Sequence, residues 1–229
     1  MSEAARAGEA LRELDEVTRR LRRECPWDRE QDERSIVPHT VEEAYELADA
    51  VESGDDAKLL DELGDVLFQV HFLALLLEER GAGSLAAVAD GCRAKLVRRH
   101  PHVFGDAAAE TAAEVRRRWD EIKHEDEGRG GGALFDDVPE NLPALLYARK
   151  SLRRAERVGR GASAEGAARA LAEELPRLTA GADPGPAVGA ALLALVELAS
   201  ARGVDPELAL RAATQRRRAE IGEDAARNE

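Results

Sequence analysis

Aromatic residues make up only 3% of this 229-residue chain, and Ala, Leu, Glu and Arg dominate what remains. That balance disfavours sheet and predicts an all-α protein. Cys25 and Cys92 are the only cysteines, too few for a disulfide framework or a Cys-rich zinc site. No apolar run follows Met1 and none elsewhere reaches spanning length, so the chain reads as cytoplasmic and soluble. Positive charge is also in deficit. A formal net charge of −13 argues against nonspecific binding of nucleic acid or an anionic membrane. A protein this acidic needs a metal bridge if its substrate is a polyanion.

What is present centres on residues 41–77. Glu42, Glu43 and Glu46 form an E-E-x-x-E phrase, and Glu62 and Asp65 form an E-x-x-D phrase that runs into an apolar segment. Residues three or four apart share a helical face, so each phrase places a carboxylate pair on one side of its helix. Asp55 and Asp56 read as the cap of the second helix, which leaves Glu62 and Asp65 beyond the turn where the helix dipole stabilises acids. Val66 to Leu77 is interrupted only by Gln69 and His71 and reads as a buried element. Several like charges at the mouth of a core call for protons or a cation, and a hard divalent ion with oxygen ligands is the natural remedy. The alternative is a solvated acidic face.

Around this stretch, Leu11, Leu14, Val17 and Leu21 mark an amphipathic helix over residues 1–24. Pro26 breaks it, and Trp27 in the turn reads as a packing anchor. Thr40 with Glu43 three residues on matches a capping box, which starts the next helix near Pro38 and gives Glu43 a competing job. A third helix, Leu85 to Arg99, ends with Lys95, Arg98 and Arg99 on one face. Those cations suit phosphate oxygens or, equally, a helix C-terminus. His100 and His102 read as turn residues and His71 as a satisfied core histidine. A fourth helix, Thr111 to Glu127, carries Val115, Trp119 and Ile122; Trp119 either stacks on a base or caps the core. Gly128 to Gly132 make a flexible break. The stripe Arg149, Arg153, Arg157 reads as solvated or salt-bridged.

Residues 146–229 resemble a second copy of the first half. With residues 172–177 set under 41–46, and 187–193 under 62–68, the glycines and the following apolar helix match. Most of the acids do not. Arg177 answers Glu46, Ala187 answers Glu62 and Ala190 answers Asp65. Pro176 predicts a spoiled helix interior, and the tail after Ile221 reads as frayed. Three segments follow: an acid-bearing helical domain over 1–127, a linker over 128–145, and a degenerate second helical repeat over 146–229.

The ordered set of phrases, CPWD at 25–28, EExxE, ExxD, RRHPHVF at 98–104, WDEIK at 119–123 and DVPENLPAL at 137–145, resembles the MazG family of nucleoside triphosphate pyrophosphohydrolases. The resemblance implies a four-helix-bundle-like module, a homodimer, and hydrolysis of a nucleoside triphosphate to the monophosphate and pyrophosphate. It implies Mg²⁺, with Mn²⁺ as a substitute, held by Glu43, Glu46, Glu62 and Asp65. Glu42 or Glu46 would orient or deprotonate the attacking water. Lys58, Lys95, Arg98 and Arg99 would face the phosphates, and Trp119 would lie near the nucleotide. Neither nucleic acid nor membrane is implied as a partner. Two other readings stand beside this one: a narrower pyrophosphohydrolase acting on dUTP or phosphoribosyl-ATP, and an inactive helical dimerisation or regulatory module.

Overall fold

The structure, a computed structural model, describes residues 1–107, 109, 111, 112, 114, 115, 118, 119, 122, 133–136, 138–180 and 184–227. Among them every regular element is helical, and no single helix is long and apolar enough to cross a membrane. The chain divides into two units, Met1–Gly130 and Gly131–Glu229.

The first unit is built on a helical hairpin. Helix α1 (Glu3–Glu24) is followed by the single turn α2 (Pro26–Glu30), then α3 (Glu33–Ser53) and α4 (Asp56–Glu79), α5 (Leu85–Arg99) and α6 (Pro101–Phe104). Of the expected fourth helix, residues 112, 114, 115, 118, 119 and 122 are helical; its remaining positions and the glycine break at 128–132 lie outside the described residues.

Helix α3 begins nearly two turns before the expected start. Asp32 accepts from the Ser35 amide at 2.8 Å while the Ser35 hydroxyl accepts from the Asp32 amide at 2.9 Å, a complete capping box. Pro38 is carried inside the helix, and Thr40 is not a cap: its hydroxyl bonds back to the Ile36 carbonyl at 3.3 Å. The reciprocal Asp32–Ser35 cap and the packing of Ile36 outweigh the one backbone bond that Pro38 removes. Glu43 is thereby released from any capping duty. Gly54 closes α3 with φ +66°, a left-handed conformation that favours glycine, and Asp55 caps α4 by accepting from the amides of Ala57 and Lys58. This two-residue turn sets the acid-bearing stretches of α3 and α4 against each other.

The core of this unit is Ile36, Phe72 and Leu76, with Phe68 and Leu73 packed against it. Helix α1 lies across α4 and is clamped there by charge. Arg19 donates to both carboxylate oxygens of Glu78 at 2.8 and 2.7 Å, and Arg22 to both of Glu79 at 2.9 and 2.8 Å. Helix α4 is not buried all round as its composition suggests. One face is covered, whereas Leu60, Leu63, Leu67 and Val70 form an exposed stripe at intervals of three and four, because the helices of a single unit cover only part of its circumference. His71 is buried as expected, but among the described residues its Nδ1 has no hydrogen-bond partner, and it stands 3.9 Å from Asp15.

Trp27, expected as a packing anchor, is 51% exposed; Asp28, next to it, is the buried residue of the turn. Pro26 at the first helical position starts a turn instead of an irregular break, and that turn directs Asp28 inward and the indole outward.

The second unit contains α7 (Ala144–Arg157), α8 (Ala164–Ala180), α9 (Gly185–Ala201) and α10 (Pro206–Arg227). Helices α8 and α9 pack as a hairpin around small side chains, with Ala167, Ala191, Ala194 and Val196 buried. Arg149 of the basic stripe is ion-paired with Asp205, which also caps α10 by accepting from the amides of Glu207 and Leu208. Two expectations fail here. Pro176 sits within a continuous α8, on an exposed position where the helix tolerates one missing bond against the packing of α9, and α10 remains helical to Arg227.

Candidate metal and nucleotide site

Helix α3 projects Glu43 and α4 projects Glu62 and Asp65 so that one carboxylate oxygen of each lies within 4.8 Å of the other two. Their surroundings differ. Asp65 is exposed, Glu43 is half-buried and Glu62 is only 7% exposed. Within that burial the Oε2 of Glu62 has no hydrogen-bond partner among the described residues. A buried, unsatisfied carboxylate oxygen is costly, because the charge has lost water without gaining a donor.

The electrostatics agree with the geometry. Burial, followed by repulsion from Asp65, Glu46, Glu62 and Glu42, pushes the Glu43 carboxyl above its ordinary range. Glu62 is raised too, by burial first and then by Glu46, with Lys58 opposing and Asp65 and Asp61 adding to the rise. Glu46 is therefore close enough to be felt by both, although it is not one of the three converging carboxylates. Glu42 is exposed, with its Oε2 3.7 Å from the Nδ1 of His39.

The donor set fits a hard divalent cation: all oxygen, from two rigid helices, with neighbouring acids that raise Glu43 and Glu62 and, among the described residues, an oxygen that has no partner. Glu43, Glu62 and Asp65 are the residues placed to hold it, with Glu46 adjacent.

An open groove runs along the exposed side of α4, lined by Ala57, Lys58, Leu60, Asp61, Gly64 and Asp65. Lys58 thus shares a groove with Asp65. Asp61, which the E-x-x-D phrase leaves out, lines the same groove, and its spacing of four from Asp65 on one helical face is the sequence signal for it.

At the end of α5, Lys95 and Arg98 are exposed, whereas Arg99 is only 7% exposed and its guanidinium lies 5.1 Å from the centre of the Trp119 ring. Arg99 and Trp119 are thus engaged with each other. The same-face spacing of the three cations does not make them equivalent.

Residues 31–104 match the family described as the MazG nucleotide pyrophosphohydrolase domain. A nucleoside triphosphate pyrophosphohydrolase/pyrophosphatase MazG of Thermotoga maritima is 37% identical over 216 residues, covering 92% of this chain and 83% of that one. A nucleoside triphosphate pyrophosphohydrolase of Escherichia coli is 44% identical over 136 residues, 59% of this chain and 52% of that one, so the match spans about half the length of that relative. One from Mycolicibacterium smegmatis is 37% identical over 155 residues, 66% of this chain and 48% of that one. The crystal structure of a MazG-related protein from Thermotoga maritima overlays with a TM-score of 0.43 at 26% identity, covering 49% of this chain and 97% of that one.

Proposed function

Since the chain belongs to the MazG family, we propose that it is a metal-dependent nucleoside triphosphate pyrophosphohydrolase that converts a nucleoside triphosphate and water to the monophosphate and pyrophosphate. The observation that carries this reading is the buried Oε2 of Glu62, unpartnered among the described residues and set among converging carboxylates. A structural acid would have a donor; this one is arranged for a cation.

The ion in this reading is Mg²⁺, with Mn²⁺ as a substitute, held by Glu43, Glu62 and Asp65 with Glu46 as the fourth carboxylate. A bound divalent ion supplies charge neutralisation and Lewis acidity toward the triphosphate. The rest falls to the chain. Lys58 neutralises phosphate charge from the groove, and Lys95 and Arg98 do so from the end of α5. Arg99 holds Trp119 in position for the nucleotide and adds its charge to the same end. Glu42 or Glu46 orients the attacking water and takes its proton as the new phosphorus–oxygen bond forms and the bond to pyrophosphate breaks.

The activity is assigned to residues 1–127, with 128–145 linking them to a second helical repeat over 146–229. Supporting the degenerate repeat, Glu174 pairs with Arg177 at 2.7 Å, at the positions aligned with Glu43 and Glu46. A side-chain cation thus satisfies the acid retained at the position of Glu43. A homodimer is supported by the uncovered stripe on α4 and by Gly64 beside it, where an added Cβ would meet nothing among the described residues. The role that follows is clearance of unwanted nucleotides from the cytoplasmic pool, with neither nucleic acid nor membrane as partner.

The test is release of monophosphate and pyrophosphate from standard and modified nucleoside triphosphates, with Mg²⁺ and with chelator, by wild type and Asp65→Ala. Equimolar products that need the metal and vanish in the variant support the assignment. A folded, metal-replete protein that turns over no nucleoside triphosphate would leave the inactive helical module instead.

A further inference from the structure

Trp27 is the largest side chain type in the protein, and it stands half outside the fold on a backbone that is held firmly. The amide of Cys25 donates to the Leu21 carbonyl at 2.8 Å, and the Gln31 side chain donates to the Trp27 carbonyl at 2.8 Å. The Nη1 of Arg22 donates to the carbonyls of Asp28 and Gln31, while the same guanidinium grips Glu79 of α4. The turn is therefore pinned to α1 and, through Arg22, to the C-terminal end of α4. An indole on such a mount is displayed, not merely left over from packing.

Among the described residues its ring neighbour is His39, with centroids 5.9 Å apart and planes 65° to each other. With an edge contact and half of its surface exposed, the indole keeps open ring surface. His39 sits on α3 three residues before Glu42 and four before Glu43, so it shares their face and lies about 6 Å up the helix from Glu43. Its Nδ1 is 3.7 Å from Glu42. His39, which carries the ring contact to Trp27, thus stands about one helical turn along α3 from Glu43.

We propose that Trp27 and His39 form a nucleobase-stacking platform, on which the base of the substrate rests while its phosphates reach Glu43, Glu62 and Asp65. This rests on the acid-site reading above. Every base presents a π-face, so stacking contributes affinity for a nucleoside over a bare polyphosphate without choosing strongly among bases. The platform makes the site selective for nucleotides as a class and tolerant within it.

The experiment compares two probes that share the triphosphate chemistry and differ in the base: α,β-methylene-ATP, which resists cleavage, and inorganic tripolyphosphate. Binding of each is measured calorimetrically with Mg²⁺ on the full chain. Wild type is expected to bind the nucleotide more tightly. In Trp27→Ala the ratio of the two affinities falls by about 5-fold to 150-fold, the range for losing one stacked base, and Trp27→Phe recovers most of it. His39→Ala lowers the same ratio and carries the test if Trp27→Ala does not fold. An equal loss for both probes means that Trp27 only supports the fold, and an unchanged ratio means that no base stacks there; either overturns the platform. Wild type that binds tripolyphosphate as tightly as the nucleotide overturns the platform and leaves the acid site standing. Wild type that binds neither overturns the acid-site reading and the platform with it.

Discussion

Arg22 and Glu79 form a two-pronged ion pair, 2.9 and 2.8 Å, that ties the end of α1 to the end of α4. The same guanidinium serves the α2 turn through the carbonyls of Asp28 and Gln31. One side chain thus joins three elements.

Removing it has two consequences. Arg22→Ala is expected to lower stability by about 1–3 kcal/mol, mostly through the lost backbone anchors, since the half-exposed Glu79 limits the ion pair itself to about 1 kcal/mol. The Arg22 guanidinium holds the Glu79 carboxyl below its ordinary range. A carboxyl lowered on folding stabilises the fold fully above its unfolded pKa and progressively less as pH falls through the folded value. Thermal melts of wild type between pH 6 and pH 3 should therefore show stability declining below about pH 4.5, and Arg22→Ala should decline less steeply over that interval.

Glu62 separates a metal site from a merely acidic surface. Mg²⁺ should raise the melting temperature of wild type, by the equivalent of about 2.7 kcal/mol at a hundredfold excess over its dissociation constant. Glu62→Gln removes one of the mutually repelling charges, so in chelator it should melt at or above the wild-type temperature while losing the Mg²⁺ response. A variant that melts lower in chelator and keeps the response would mean that Glu62 is structural.

The end of α5 divides by burial. Arg99→Ala should cost about 1–3 kcal/mol, because it deletes a buried cation stacked on Trp119. Arg98→Ala, on an exposed position, should stay within about 0.5 kcal/mol. Under the proposed function Lys95→Ala raises KM with the melting temperature held. Paired chemical denaturation and kinetics on the three variants check this division.

Gly54 sets the angle from which the acids meet. With φ +66° it is followed directly by the Asp55 cap. Gly54→Ala should destabilise by about 1 kcal/mol, and any strain relieved by shifting α3 against α4 should appear as weaker Mg²⁺ binding in calorimetry.

The amino-acid sequence by itself determined the features that depend on neighbours a few residues apart. The all-helical class, the run of α5 from Leu85 to Arg99, the Asp55 cap and the face-sharing of the acids all follow from helical spacing and local capping chemistry. Tertiary structure decided what depends on which face another helix covers. Spacing pairs Glu62 with Asp65, but only the packing of α3 on α4 buries Glu62, leaves its Oε2 without a donor and brings Glu43 to it. The start of α3 was a contest between two local signals, and the fold settled it for Asp32 and Ser35, since burying Ile36 rewards the longer helix despite Pro38. Trp27 and Arg99 reverse the roles their chemistry suggests, the apolar ring exposed and the cation buried. Burial is a property of the assembled helices, and no interval along the chain records it.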